Sequence, residues 1–269
     1  MSTQADKAAA FRALHRPGDP LLLPNPWDLG SARVLATLGF SALATTSSGF
    51  AASVGRADGD VTRDEAIEHA AAIVAATELP VSADLEDGFA QDPAGVADTV
   101  RAAIAAGLAG CSVEDYTRRD DDPIHDLKFA AERIAAAAAA AAAGGFVLTA
   151  RAENYLRGRP DLADTIARLQ AYQEAGADVL YAPGLTSIED IRLVIRETDR
   201  PVNVLAMPGV PPVAELAEAG VSRISVGGAF AYAALGALVS AATEFRDQGT
   251  YGFRTGTVVG RDAARRAFG

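Results

Sequence analysis

Val81-Ser82-Ala83-Asp84-Leu85-Glu86-Asp87-Gly88-Phe89 is the stretch on which the fold turns. A short, largely apolar run, Val81–Asp84, ends abruptly in acids and a glycine. Seven further runs share that character: Leu21–Leu23, Ala42–Thr45, Cys111–Val113, Phe146–Ala150, Val179–Tyr181, Val202–Leu205 and Ile224–Val226. Taken together they read as continuous apolar runs, the pattern of strands buried on both faces. The Ala-rich stretches between them are long enough for helical crossovers. Several of those helices end in a glycine that leads into the next run, as at Gly39, Gly107, Gly176 and Gly220. A glycine just past a helix end takes the left-handed conformation without a Cβ penalty. Eight strand-then-helix units predict an α/β fold of the closed (β/α)8 TIM-type barrel kind. An open doubly wound sheet would want a Gly-x-Gly-x-x-Gly after its first strand, and none is present.

Length and composition agree. The chain has 269 residues, 49% of them hydrophobic and 22% charged, which suits one barrel domain over 1–269. Residues 1–16 are expected to form an N-terminal helix stopped at Pro17-Gly18. Ala135–Ala143 continues Leu127–Ile134 in helical phase, and Ala229–Phe245 reads as a helix after the eighth strand. The remainder, 246–269, is expected to be a polar tail. The net charge of −11 argues against nucleic acid or an anionic membrane as partner. A single cysteine, Cys111, permits no internal disulfide, and the first residues lack the apolar core of a signal peptide. A cytoplasmic enzyme is expected.

In a parallel barrel the reacting groups gather at the C-terminal ends of the strands. The second run ends in Thr45-Thr46-Ser47-Ser48-Gly49-Phe50, the third in Asp84-Leu85-Glu86-Asp87, the fourth in Glu114-Asp115 and the fifth in Arg151-Ala152-Glu153. Acids on adjacent strand ends repel one another unless a cation lies between them. All-oxygen donors suit Mg2+ or Mn2+ rather than zinc. Any one of these acids would also serve as a cap for the helix that follows it, but the cluster favours a metal on Asp84, Glu86 and Glu114. Arg151 at the end of a buried strand needs an anion, either Glu153 or Glu114 or a substrate carboxylate. The Ser47-Ser48-Gly49 turn offers amides and hydroxyls to an anion. Trp27 can stack over the site or pack at the barrel rim.

These residues stand in an order that resembles the isocitrate lyase/phosphoenolpyruvate mutase superfamily over nearly the whole chain. The likeness runs through Pro24-Asn25-Pro26-Trp27-Asp28 and Ser31-Ala32-Arg33, then Ser48-Gly49-Phe50, Asp58, Asp84-Leu85-Glu86-Asp87-Gly88-Phe89, Glu114-Asp115 and Ala150-Arg151-Ala152-Glu153. It implies Mg2+ held through Asp84, Glu86 and Glu114, directly or through water, with Asp58 and Arg151 as catalytic groups. It also implies substrate contacts from Trp27, Ser48, Gly49, Phe50, Arg151 and Asn203, and a homo-oligomer, a tetramer or dimer, in which the C-terminal helix Ala229–Phe245 is exchanged between subunits.

The departures from the family matter as much. Tyr116–His125 contains neither the Lys-Lys-Cys-Gly-His loop of the C–C lyases nor the loop Asn of the phosphonate enzymes. Arg118, Arg119 and His125 are the substitutes the loop offers. At the seventh strand only Asn203 of the lyase pattern is kept. The expectation is a Mg2+-dependent lyase cleaving a C–C bond of a small 2-oxo or 2-hydroxy di- or tricarboxylate through a metal-stabilised enolate. Mutase or hydrolase chemistry on the P–C bond of phosphoenolpyruvate or phosphonopyruvate is one alternative, and a metal-dependent 2-oxo acid binder with weak turnover is another.

Overall fold

The computed structural model describes residues 2–119, 121–142 and 144–269; Asp120 and Ala143, parts of the loop and the Ala-rich run above, lie outside the described residues. Helix α1 (Gln4–Ala13) comes first, its start fixed by the reciprocal Thr3–Asp6 cap. Eight strands follow: β1 (Leu21–Leu23), β2 (Leu43–Ala44), β3 (Val81–Asp84), β4 (Gly110–Glu114), β5 (Val147–Arg151), β6 (Val179–Tyr181), β7 (Val202–Leu205) and β8 (Arg223–Ser225). They form one parallel sheet in the order β1-β8-β7-β6-β5-β4-β3-β2. At the remaining seam the amide of Ala44 donates to the Pro24 carbonyl at 3.1 Å, which brings β2 to the end of β1. The architecture is the expected (β/α)8 barrel.

Helices α2 (Leu29–Thr37), α3 (Ser47–Ser53), α4 (Arg63–Ala75), α5 (Pro93–Ala105), α6 (Leu127–Ala142), α7 (Leu162–Glu174), α8 (Ile188–Arg196) and α9 (Val213–Glu218) fill the connections, and α10 (Ala229–Gln248) and α11 (Arg254–Phe268) follow β8. Most start at a Ser, Thr or Asp whose side chain accepts from an amide of the first turn, as Asp28, Thr62, Asp92 and Asp161 do. Between strands and helices lies one large apolar core that includes Leu43, Val81, Leu85, Val113, Leu148, Leu180 and Ile224. A second cluster, around Ala8, Phe11, Leu21, Leu23, Val147 and Val179, packs α1 under the barrel floor.

Two expectations are sharpened. The C-terminal tail, 246–269, is largely helical: α10 runs on to Gln248, and α11 packs back against α2. Its half-buried residues Ala263, Ala264 and Ala267 are spaced three and four apart, so the segment has one small apolar stripe among its arginines. The eighth strand begins at Arg223, one residue before the apolar run. Strand side chains alternate between faces, and this register sends Ile224 into the outer core and Arg223 and Ser225 into the barrel interior. A buried cation looks like a strand terminator in sequence, but here Asn203 and His15 accept its hydrogen bonds.

Candidate active site

The barrel mouth is organised by Arg151, the last residue of β5, whose side chain is 13% exposed. Its Nη1 donates to Asp84 Oδ1 at 3.0 Å, its Nη2 lies 3.1 Å from Glu114 Oε2, and Nη2 and Nε donate to Glu153 Oε1 at 2.6 and 3.1 Å. The guanidinium also lies 5.1 Å from the centre of the Tyr181 ring. The sequence left two readings of Arg151 open, an ion pair or a substrate clamp. The first is realised, on both proposed acids and on Asp84 besides.

Asp84 is the meeting point of β2, β3, β4 and β5. It accepts from the Ser47 amide at 3.2 Å and from Ser112 Oγ at 3.4 Å, and its own amide donates to Thr45 Oγ1 at 3.0 Å. Glu86 adopts φ of +49°, an unusual conformation for a side-chain-bearing residue. Its Oε2 accepts from Arg118 Nη2 at 2.8 Å. Burial first, and the charge of Asp84 second, push the Glu86 carboxyl up to about 8. Glu114 is buried and is raised well above the ordinary range by desolvation, with Arg151 opposing and Glu153 and Asp84 adding to the rise. Asp58 sits on an exposed loop, yet its carboxyl too is held up, by desolvation and then by Asp84. Gly88 makes the turn beyond Glu86 feasible: it has φ of +76°, and a Cβ there would come within 2.9 Å of Val96.

Around this mouth are Asp58, Asp84, Glu86, Asp87, Glu114 and Glu153, against the guanidiniums of Arg118, Arg151 and Arg157. Desolvation first, and the excess of negative charge second, raise three of these carboxyls, Asp58, Glu86 and Glu114. Hard oxygen donors in surplus are what Mg2+ or Mn2+ takes. Among the described residues, however, no three acids, histidines or cysteines converge into one compact ligand group. The donor set therefore fits a cation held by few direct side-chain ligands and by water to the rest.

The remaining predicted residues divide. Ser47–Ser53 is a helix with Thr46 as its N-cap, not an open turn. The Gly49 amide donates to Thr46 Oγ1 and that of Phe50 to the Thr46 carbonyl, so two of the three amides expected to hold substrate are already engaged. Gly49 is needed for close approach, because a Cβ would meet Thr46, Trp27 and Ala231 at 2.6, 3.0 and 3.2 Å. Trp27 is thus a half-buried packing partner of α3 at the rim. Asn203 is buried below the mouth, donating to Ser225 Oγ at 3.0 Å and accepting from Arg223 Nε at 2.8 Å. His125 is half-buried against Phe129 and lines a loop cleft of about 460 Å3 away from Asp84.

Several residues escaped the sequence reading. Phe50 stacks on His69 with ring centres 3.8 Å apart, and His69 lines a small cavity with Asp84 and Glu86; its position inside an Ala-rich helix gave no signal. Arg118 leaves the β4 loop at φ of +62° to bind Glu86, Asp87 and the Gly59 carbonyl, tying that loop to the one carrying Asp58. Asp115 accepts from Tyr172, Arg168 and the Glu153 amide, which fixes the ends of β4 and β5 to α7. Beneath Arg151 and Asp84 is an interior cavity of about 50 Å3 whose lining includes Ser82, Ser112, Tyr181, Arg223 and Ser225. Arg223 could have been flagged as Arg151 was, since it too is a cation at the edge of an apolar run.

A (β/α)8 barrel with an acid cluster and a clamped arginine at its C-terminal mouth is the frame of an enzyme. The chain belongs to the phosphoenolpyruvate phosphomutase family, whose model matches residues 11–246, and so to the isocitrate lyase/phosphoenolpyruvate mutase superfamily of enzymes. It is similar to a Burkholderia cenocepacia J2315 protein of solved structure, at 55% identity and a TM-score of 0.94, covering 97% of this chain and 96% of that one. It is 30% identical to 2-methylisocitrate lyase of Halalkalibacterium halodurans over 74% of this chain and 67% of that enzyme. A phosphonopyruvate hydrolase solved with oxalate and Mg2+ superposes with a TM-score of 0.81 at 25% identity, covering 90% and 88%. Among similar structures, 2,3-dimethylmalate lyase (30% identity, TM-score 0.82, covering 94% and 90%) and oxaloacetate acetylhydrolase with its product oxalate (26%, 0.84, covering 93% and 90%) show how varied the chemistry on this fold is.

Proposed function

We propose that the protein is a Mg2+-dependent carbon–carbon lyase acting on a small 2-oxo or 2-hydroxy di- or tricarboxylate, with the whole chain serving one barrel. The observation that carries this reading is the Arg151 hub, which joins Asp84, Glu114 and Glu153 directly above a polar cavity. Asp84, Glu86 and Glu114 are the groups that would hold the metal, with Asp58 nearby. Bound there, Mg2+ would supply Lewis-acid stabilisation of the negative charge that develops on the 2-oxo fragment.

The chain's own residues set the rest. Arg151 pairs with a substrate carboxylate while remaining anchored to Glu153, so its position would hold if Asp84 served a bound metal instead. Ser47, at the first turn of α3, borders the same mouth through its amide on Asp84. Asp58, whose carboxyl is raised by desolvation at the mouth and by Asp84, is suited to carry a proton near the reacting carbon. Arg118, joined to Glu86 and to the Asp58 loop, ties the two loops together on the β4 side of the mouth.

Incubation with Mg2+ and a panel of 2-oxo and 2-hydroxy acids, followed by assay for glyoxylate, pyruvate and phosphate, tests the proposal. Glyoxylate or pyruvate from a di- or tricarboxylate supports it; phosphate from phosphonopyruvate would replace it with P–C chemistry, which Arg118 at the mouth favours as the second reading. Binding of every panel member without any product would leave a metal-dependent 2-oxo acid binder.

We also infer a cytoplasmic homo-oligomer, tetramer or dimer, in which α10 packs on a neighbouring subunit. Of its 20 residues only Ala231 is buried, and Tyr232, Leu238, Val239 and Phe245 are among the apolar side chains left exposed. A contiguous apolar face of that kind marks an interface. Among the described residues no helix is long and apolar enough to cross a membrane.

A further inference from the structure

Arg223 is the feature the proposed chemistry leaves unexplained. It sits in the barrel interior at 4% exposure. Its Nε donates to Asn203 Oδ1 at 2.8 Å and its Nη1 faces His15 Nε2 at 3.2 Å. His15 Nδ1 is 2.9 Å from the Phe11 carbonyl, so the ring donates there and offers Nε2 as acceptor. Both partners of Arg223 are neutral, and among the described residues no carboxylate lies within ion-pair distance of it. An isolated buried charge costs several kcal/mol, by order of magnitude, and persists where something anionic repays it. Arg133, also buried without a carboxylate, gives its donors to the carbonyls of Ala90 and Asp87 and so closes a loop. Arg223 instead lines a cavity.

That cavity is rich in donors. Ser225 accepts from Asn203 Nδ2, and its hydroxyl also meets that of Tyr181 on the cavity wall. Thr45 Oγ1 accepts from the Asp84 amide and is free to donate. Arg151 and Asp84 border the same space. At about 50 Å3 it has room for a few waters or one carboxylate group, a single water needing roughly 10–15 Å3 on this measure. Arg223 lies two residues before the C-terminal end of β8, about 7 Å down the barrel at the rise of a parallel strand.

We propose that Arg223 and Ser225 receive the distal carboxylate of the substrate inside the barrel, so that the enzyme selects four- to six-carbon 2-oxo diacids over monoacids. The inference rests on the 2-oxo acid reading of the mouth. It adds that the second acid group is bound on the barrel axis, on β8, beneath Arg151.

Calorimetric titration of the full chain with Mg2+ and either pyruvate, oxaloacetate, 2-oxoglutarate or 2-oxoadipate reads it out. Wild type should bind at least one diacid tenfold or more tighter than pyruvate. Arg223→Met should weaken that diacid at least tenfold and change pyruvate less than twofold, while its melting temperature holds or rises because an unpaired buried charge has gone. Arg223→Lys should recover part of the diacid preference. Equal binding of pyruvate and all diacids by wild type, or equal weakening of both in Arg223→Met, overturns the inference and spares the 2-oxo acid reading. Binding of none of the four overturns both. If Arg223→Met does not fold, the wild-type preference and Arg223→Lys still decide: a wild type that favours pyruvate, or a lysine variant that weakens diacid and pyruvate equally, sinks it.

Discussion

At the scale of single residues the mouth holds a conflict between stability and function. Glu114 is buried beside Glu153 and Asp84, and its carboxyl is raised by that burial. Glu114→Gln relieves the strain, so it should leave the melting temperature unchanged or higher, while Mg2+-dependent binding of oxalate or pyruvate falls by a factor of about 100 or more. Asp84→Asn should show the same loss. Calorimetry with and without Mg2+ measures both, and full retention of metal-dependent binding in either variant would show that these acids do not hold the metal. Arg151→Met has the opposite signature. It takes a cation from three carboxylates at once, leaving Glu114 and Glu153 to Arg157, and breaking a buried pair costs about 3–5 kcal/mol. In a chain of this size that lowers the melting temperature by on the order of 10 °C, and a thermal scan showing no change would contradict the hub. Asp84, Glu86, Glu114 and Arg151 were all legible in the sequence, because a polar residue at the end of an apolar run has a predictable place in a parallel barrel. What the sequence withheld was pairing. Nothing in the linear order places Arg118 on Glu86, Phe50 on His69 or Arg223 on His15, because these contacts join segments that only the closed barrel brings together.

Elements show the same division between what repeats and what does not. The strand–helix units recur eight times, and several end in a glycine such as Gly39, Gly107, Gly176 or Gly220, so the repetition exposed them. Helix α11 belongs to no repeat, and its stripe of small residues among arginines reads as solvent-facing until α2 is beside it. Helix α1 likewise has one job, to seal the barrel floor, and it ends in a titratable group. His15 follows it, buried, with its imidazole pushed down to about 3 by desolvation first and by the Arg223 charge second. A histidine with a lowered folded pKa stays neutral in the native state while the unfolded chain takes up a proton. Stability from this group is therefore fully present above about 6.5 and is lost as the pH falls toward 3, by about 1.4 kcal/mol per pH unit across that window. Raised carboxyls such as Glu86 slope the other way, so the informative quantity is a difference. Urea unfolding of wild type and His15→Gln at pH 7, 6, 5 and 4 should show the wild type losing ground to the variant at each step down. Parallel curves would mean that His15 is not buried as a neutral ring.

For the whole molecule, the question is how α10 reaches the site. Its first turn packs directly on α3: a Cβ at Gly228 would lie 2.5 Å from Ser48 Oγ, and Ala231 lies against Gly49. Beyond that turn the helix leaves the barrel and exposes Leu235, Leu238, Val239 and Phe245. A chain with a net charge of −11 repels its own copies at long range, so an assembly must be held by apolar contact that outweighs this repulsion. Burying such side chains contributes about 1.5–3 kcal/mol each. The pair Leu238→Asp and Val239→Asp removes two of them and adds charge on each copy. Light scattering coupled to size exclusion should then report wild type at a multiple of the chain mass and the double variant at one chain mass. Because α10 braces α3 from the first turn, the dissociated form should also bind 2-oxo acids several-fold more weakly, although no residue at the mouth has changed. A wild type that runs at one chain mass across a hundredfold range of concentration would remove the oligomer. A double variant that dissociates yet binds as wild type would show instead that α3 keeps its place without its neighbour.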